Sequence, residues 1–167
     1  AGSLKSIALA IRTTSPTACI VVFDGKGGST KRRKLFPEYK ANRKVHRRLN
    51  RTDFHDGINE EEAMKRQIVR LFDYLETLPV KTMMFDGMEA DDVIGYVCSN
   101  LYPDSEKVIY SMDKDFYQLV NDKVSVYSPI KKMTIDEKWI DHEFGMTPNN
   151  YLIYRTLDGD KSDDIDG

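Results

Sequence analysis

Ala18-Cys19-Ile20-Val21-Val22-Phe23-Asp24-Gly25 is a run of six apolar residues cut off by an acid and a glycine. Its β-branched middle and abrupt polar stop have the form of a buried strand in a parallel sheet, closed by a turn at Asp24-Gly25. On either side the periodicity is helical. Residues 4–13 carry Leu4, Ile7, Ala8 and Ile11 at helical spacing. Residues 60–78 place Met64, Ile68, Leu71, Phe72 and Leu75 on one face, and Pro79 stops the helix.

Further along, strands are predicted at 80–85, 108–111 and 124–127. Helices are predicted at 90–101, with Val93, Ile94 and Val97 inward, and at 115–120, 136–144 and 148–157. Strands alternating with helices over short connections predict an α/β fold. It has a mainly parallel, twisted sheet with right-handed crossovers, flanked by helices. One segment breaks this rhythm. Residues 25–57 are polar and basic and too long for a simple loop, which marks a functional or disordered insertion.

A chain of 167 residues fits one domain, 1–167, able to bury a hydrophobic core without staples. Cys19 and Cys98 sit in apolar surroundings, so they read as buried thiols and not as a disulfide framework. No apolar run approaches the roughly 18 residues of a membrane span, and no signal-peptide pattern opens the chain. A soluble protein of a reducing compartment, with no membrane partner, is therefore expected. The net charge of −2 conceals a polarised chain. Residues 31–51 hold ten Lys or Arg against the single acid Glu38, whereas residues 86–167 hold eight against eighteen acids. A basic block suggests a polyanion partner, and an acidic half suggests either a solvated surface or metal ligands.

The positions of the acids favour ligands. In open α/β sheets, ligands bind beyond the carboxyl ends of the strands. Asp24 closes the first strand, Glu89, Asp91 and Asp92 start the helix after the second, Asp113 and Asp115 follow the third, and Asp160 and Asp163 lie in the last loop. Each alone could be a cap or turn residue. Together they form a set of carboxylates that would repel unless neutralised, and hard divalent cations do this. Two such ions about 3.5–4 Å apart suit phosphoryl displacement. No zinc-type Cys/His spacing and no Walker loop is present. The basic segment complements the acids: Lys31, Arg32, Arg33, Lys34, Lys40, Arg43, Lys44, Arg47, Arg48 and Arg51 offer phosphate contacts, with Phe36 and Tyr39 placed to stack on bases.

Five ordered motifs carry a resemblance. Val22-Phe-Asp-Gly-Lys-Gly-Gly-Ser, Leu35-Phe-Pro-Glu-Tyr-Lys-Ala-Asn-Arg, Glu89-Ala-Asp-Asp, Ser111-Met-Asp-Lys-Asp-Phe and Gly159-Asp-Lys-Ser-Asp resemble the 5′ nuclease, or flap endonuclease, family. That family includes phage 5′–3′ exonucleases and the 5′-nuclease domain of bacterial DNA polymerase I. The resemblance implies a PIN-like domain that hydrolyses phosphodiesters of 5′ flaps, 5′ ends or RNA primers in DNA replication and repair. It implies two Mg²⁺ ions, with Mn²⁺ as a substitute. The first metal cluster would be Asp24, Glu89, Asp91 and Asp92, and the second Asp113, Asp115, Asp160 and Asp163. A basic helical arch would span about 29–58, with Tyr39 contacting DNA and Lys40 and Arg43 acting at the scissile phosphate. RNA–DNA hybrids and replication proteins are further implied partners.

The sequence departs from the family pattern at both ends. A first strand ending in Asp does not precede Leu4, and only the start of a helix–hairpin–helix, about 158–167, is present; a fragment is expected. The alternatives are a PIN-type ribonuclease on single-stranded RNA and a non-catalytic nucleic-acid-binding module that needs a partner chain.

Overall fold

A computed structural model describes residues 2–40, 60–159 and 165. Twelve regular elements lie among them, ten of them close to the expected positions. The chain divides into two compact units, residues 1–21 with 44–83 and residues 22–43 with 84–167.

The first unit is built on two amphipathic helices. α1 (Gly2–Thr14) and α3 (Glu60–Glu76) obey the expected spacing. Leu4, Ile7, Ala8, Ile11 and Arg12 of α1, with Tyr74, Thr77 and Leu78, line an open groove of about 490 Å³. Leu75 is fully buried. β1 (Ile20–Phe23) and β2 (Lys81–Met84) form a two-stranded sheet. The buried strand expected at 18–23 is only half-buried, and β2 is mostly exposed. A continuous apolar run reports which side chains are available for cover, not whether cover is present.

The second unit holds the main core. β3 (Lys107–Tyr110) runs parallel to β4 (Val124–Ser128), with Lys107 opposite Val124 and Tyr110 opposite Tyr127. The short strand β5 (Met133–Ile135) was not anticipated and pairs antiparallel with β4. Three residues are too few to show an alternation. Along β4, Val124, Val126 and Ser128 turn inward. The first two join Ile109, Phe116, Tyr117, Val120, Ile135, Ile140 and Tyr151 in one cluster.

Local chemistry ends the helices around that core. Asp136 caps α5 (Glu137–Phe144) by accepting the Trp139 N–H at 2.8 Å, and Gly145 closes it in the left-handed region. Pro148 opens α6 (Pro148–Asp158). The helix expected at 115–120 is a 3-10 helix, Lys114–Leu119. A further short helix, α2 (Thr30–Leu35), lies in the basic segment. The remainder of the expected arch, residues 41–58, lies outside the described residues.

Candidate metal and phosphate site

All the described site residues belong to the second unit. Two loops interlock to build it. Gly25 N–H donates to Met88 O at 2.9 Å, and Gly87 N–H donates to Lys26 O at 2.9 Å. The approach is close enough that a Cβ on Gly25 would stand 1.7 Å from Phe85 O, and one on Gly28 would stand 2.7 Å from Met88 O. Glycine is therefore a packing requirement at both positions.

The interlock delivers Asp24 to the start of α4 (Ala90–Asn100), where its Oδ1 accepts the Ala90 N–H at 2.7 Å. The residue before the helix, Glu89, makes no side-chain cap. Asp24 thus caps a helix 66 residues further along the chain, so its cap and site readings are compatible.

Glu89 is buried, and its side chain turns toward the basic segment instead. Its Oε2 accepts hydrogen bonds from Tyr39 OH at 3.1 Å and Lys40 Nζ at 3.0 Å, and pairs with Arg32 Nη1 at 3.0 Å. Arg32 also grips Asp92 with two nitrogens, Nη2 to Oδ1 at 2.7 Å and Nη1 to Oδ2 at 3.0 Å. Lys40 lies 4.7 Å from the Tyr39 ring centroid. Its backbone is in the left-handed region, at φ 58°, which is uncommon and costly for a side chain of this kind. A buried carboxylate needs such partners, because an unpaired one would lose its hydration without return.

Asp91, next to this pair, is exposed, but its carboxyl is raised above the ordinary range. Partial desolvation is the main cause. Repulsion from Asp113, Glu89 and Asp24 adds to it, and Lys40 offsets part. Carboxylates from three segments therefore sense one another here. Asp113 itself caps the 3-10 helix through the Asp115 N–H at 2.9 Å. Asp115 Oδ1 accepts a hydrogen bond from Arg155 Nε at 3.2 Å.

Arg155 is the residue that sequence reasoning missed. From the last turn of α6 it holds both Asp115 and, at 3.1 Å, the carbonyl of Gly159. Gly159 adopts φ 74° and ψ −173°, a region open only to glycine, immediately before the acidic loop. A lone arginine at a helix end carries no motif, so only its position reveals it.

The expected residues thus fall into three groups. Asp24, Glu89, Asp91, Asp92 and Asp113 form one neighbourhood with Arg32, Tyr39 and Lys40, while Asp115 is held by Arg155. Lys31, Arg33 and Lys34 are exposed on α2. Arg43, Lys44, Arg47, Asp160 and Asp163 lie outside the described residues. Among the described residues no three His, Cys, Asp or Glu side chains converge on a point that could hold a metal ion. The donor set is nevertheless all carboxylate, the chemistry that a hard divalent ion requires.

The chain is similar in sequence and fold to known proteins. Residues 1–145 match the family described as 5′–3′ exonuclease, N-terminal resolvase-like domain. A 5′–3′ exonuclease of Buchnera aphidicola is 33% identical over 89% of this chain and 47% of its own length. One from Aquifex aeolicus is 30% identical over 99% of this chain and 53% of its own. The chain spans about half the length of these relatives. Among solved structures, the T5 D15 protein co-crystallised with metal ions superimposes with a TM-score of 0.73 at 25% identity, covering 98% of this chain and 59% of that one. The bacteriophage T5 flap endonuclease in a complex with DNA and metal ions gives 0.72 at 26% identity, with the same coverage. The fold is the resolvase-like, PIN-type α/β domain, and the chain belongs to the 5′–3′ exonuclease N-terminal domain family.

Proposed function

We propose that this chain carries the catalytic centre of a divalent-metal-dependent 5′–3′ exonuclease and flap endonuclease. Its substrates would be the phosphodiesters of 5′ flaps, 5′ ends and RNA primers on DNA, during replication and repair. The observation that carries the reading is the neighbourhood of Asp24, Glu89, Asp91, Asp92 and Asp113, drawn from three segments and bordered by Arg32, Tyr39 and Lys40. An acidic site flanked by a basic segment suits a phosphate substrate that arrives with its metal.

Mg²⁺ is the proposed ion, with Mn²⁺ as a substitute, and Asp24, Glu89, Asp91, Asp92, Asp113 and Asp115, with Asp160 and Asp163, would hold two of them. When bound, such ions supply Lewis-acid stabilisation of a phosphodiester under attack. The chain's own residues do the rest. Tyr39 fixes Glu89 by a hydrogen bond, and Lys40 places beside it a positive charge that would stabilise charge developing on a bound phosphate. The exposed Lys31, Arg33 and Lys34, with Arg43, Lys44 and Arg47, would track the DNA backbone. Among the described residues no helix is long and apolar enough to cross a membrane, and a cytoplasmic setting is proposed.

The test is cleavage of a 5′-labelled flap duplex, an RNA-primed duplex and an unstructured RNA, each with Mg²⁺ or EDTA. Metal-dependent cleavage of the first two is expected. Preferential cutting of the free RNA would replace this reading with a ribonuclease, and binding of the flap without cleavage would make the chain a binding module.

A further inference from the structure

Among the described residues Glu89 has three partners, and they are unequal. Lys40 is 16% exposed, held over the Tyr39 ring, and fixed by its left-handed backbone. Tyr39 is buried. Arg32 is 37% exposed and reaches from the six-residue helix α2 to both oxygens of Asp92, whose side chain is 41% exposed. If Arg32 withdraws, Glu89 retains the hydroxyl and the ammonium, and Asp92 faces water. Its departure strands no buried charge, so this grip is the weakest of the contacts.

It also occupies the carboxylates that the proposed function assigns to a cation. A guanidinium and a divalent ion on the same oxygens repel each other. The planar fork that fits Asp92 fits two oxygens of a phosphodiester equally well. Resting on the metal-dependent reading above, we propose that Arg32 is an exchangeable counter-ion. It neutralises Glu89 and Asp92 until a divalent cation takes those oxygens, and the released guanidinium then binds the DNA backbone. Metal and DNA each strengthen the binding of the other, because each draws the same competitor away.

The opposite role, Arg32 as a rigid support that pre-aligns the two acids, makes the opposite prediction for metal affinity. The whole chain is titrated with Ca²⁺ by calorimetry without DNA, and its affinity for a labelled 5′-flap duplex is measured by anisotropy in Ca²⁺ and in EDTA. Arg32→Gln is expected to bind Ca²⁺ about twofold to fivefold more tightly than the parent. The same variant loses most of the gain in flap affinity that Ca²⁺ gives the parent. Arg33→Gln removes the same charge from the same helix without touching Glu89 or Asp92, and its Ca²⁺ affinity stays at the parent value. Equal or weaker Ca²⁺ binding by Arg32→Gln overturns the exchange while leaving a metal-dependent nuclease intact. A parent chain that binds no divalent ion overturns both. If Arg32→Gln does not fold, Arg32→Lys keeps the charge without the two-pronged grip. It is expected to bind Ca²⁺ more tightly than the parent, and an unchanged affinity refutes the exchange.

Discussion

Gly25→Ala tests the claim that two interlocked loops build the site. The new methyl group would stand 1.7 Å from Phe85 O and 2.4 Å from Phe85 C, both backbone atoms, where ordinary contact begins at 3.4 Å. No rotamer relieves this, because a Cβ has no torsion. The gap must double, which separates residue 25 from residues 85–88 and breaks the 2.9 Å bond from Gly25 N–H to Met88 O. Overpacking costs about 1–3 kcal/mol and the lost hydrogen bond about 1 kcal/mol, for a total of roughly 2–4 kcal/mol. For a chain of this size that is a fall in Tm on the order of 10 °C. Gly95→Ala is the matched control. Gly95 lies within α4 with nothing within 4 Å of its Cβ position, so alanine there adds about 0.5–1 kcal/mol. Thermal unfolding followed by circular dichroism should show opposite shifts. Flap cleavage by Gly25→Ala, assayed below its Tm, should fall as well, because Asp24 is displaced from α4. An unchanged Tm for Gly25→Ala would refute the interlock, and full activity in a destabilised variant would refute its bearing on the site.

Asp113→Ala should abolish cleavage while flap binding stays within about threefold; parallel loss of both would remove Asp113 from the chemistry. Lys40→Ala should lower turnover by 10²-fold or more with little change in Tm, since Tyr39 and Arg32 still satisfy Glu89, and an unaffected single-turnover rate would contradict its placement. Arg155→Gln should reduce cleavage through Asp115 and the Gly159 turn with a Tm change of only a few degrees, and kinetics equal to the parent would exclude that role. Tyr151 is 2% exposed, and burial pushes its phenol up to about 12. A raised pKa means that the folded state holds its proton longer than the unfolded chain. The stability this gives is complete below about pH 10 and falls by up to roughly 2.7 kcal/mol as the pH rises to 12. Tyr151→Phe should flatten that alkaline decline in denaturant titrations, with a residual slope from Tyr117, whose pKa burial also raises.

The main elements of the α/β fold were legible in the sequence because their signals are local and repeated. The stripe of α3, the stop at Pro79, the apolar run ending at Asp24 and the Asp136 and Gly145 boundaries of α5 each state their structure within a few residues. β5 and α2 escaped because three and six residues give a period no room to show. The family and its acids were legible for the same reason: Glu89-Ala-Asp-Asp and Ser111-Met-Asp-Lys-Asp-Phe are contiguous motifs.

The pairing of charges was not local, and only the tertiary structure decided it. Arg32 and Asp92 are 60 residues apart, Lys40 and Glu89 are 49 apart, and Arg155 and Asp115 are 40 apart. Composition marked residues 31–51 as a basic surface for a polyanion, yet the fold turns Arg32, Tyr39 and Lys40 onto the chain's own acids. The sequence determined which charges exist and at which element ends they stand. Which charge meets which depends on loops that close at Gly25 and Gly28, where the missing side chain lets two backbones touch.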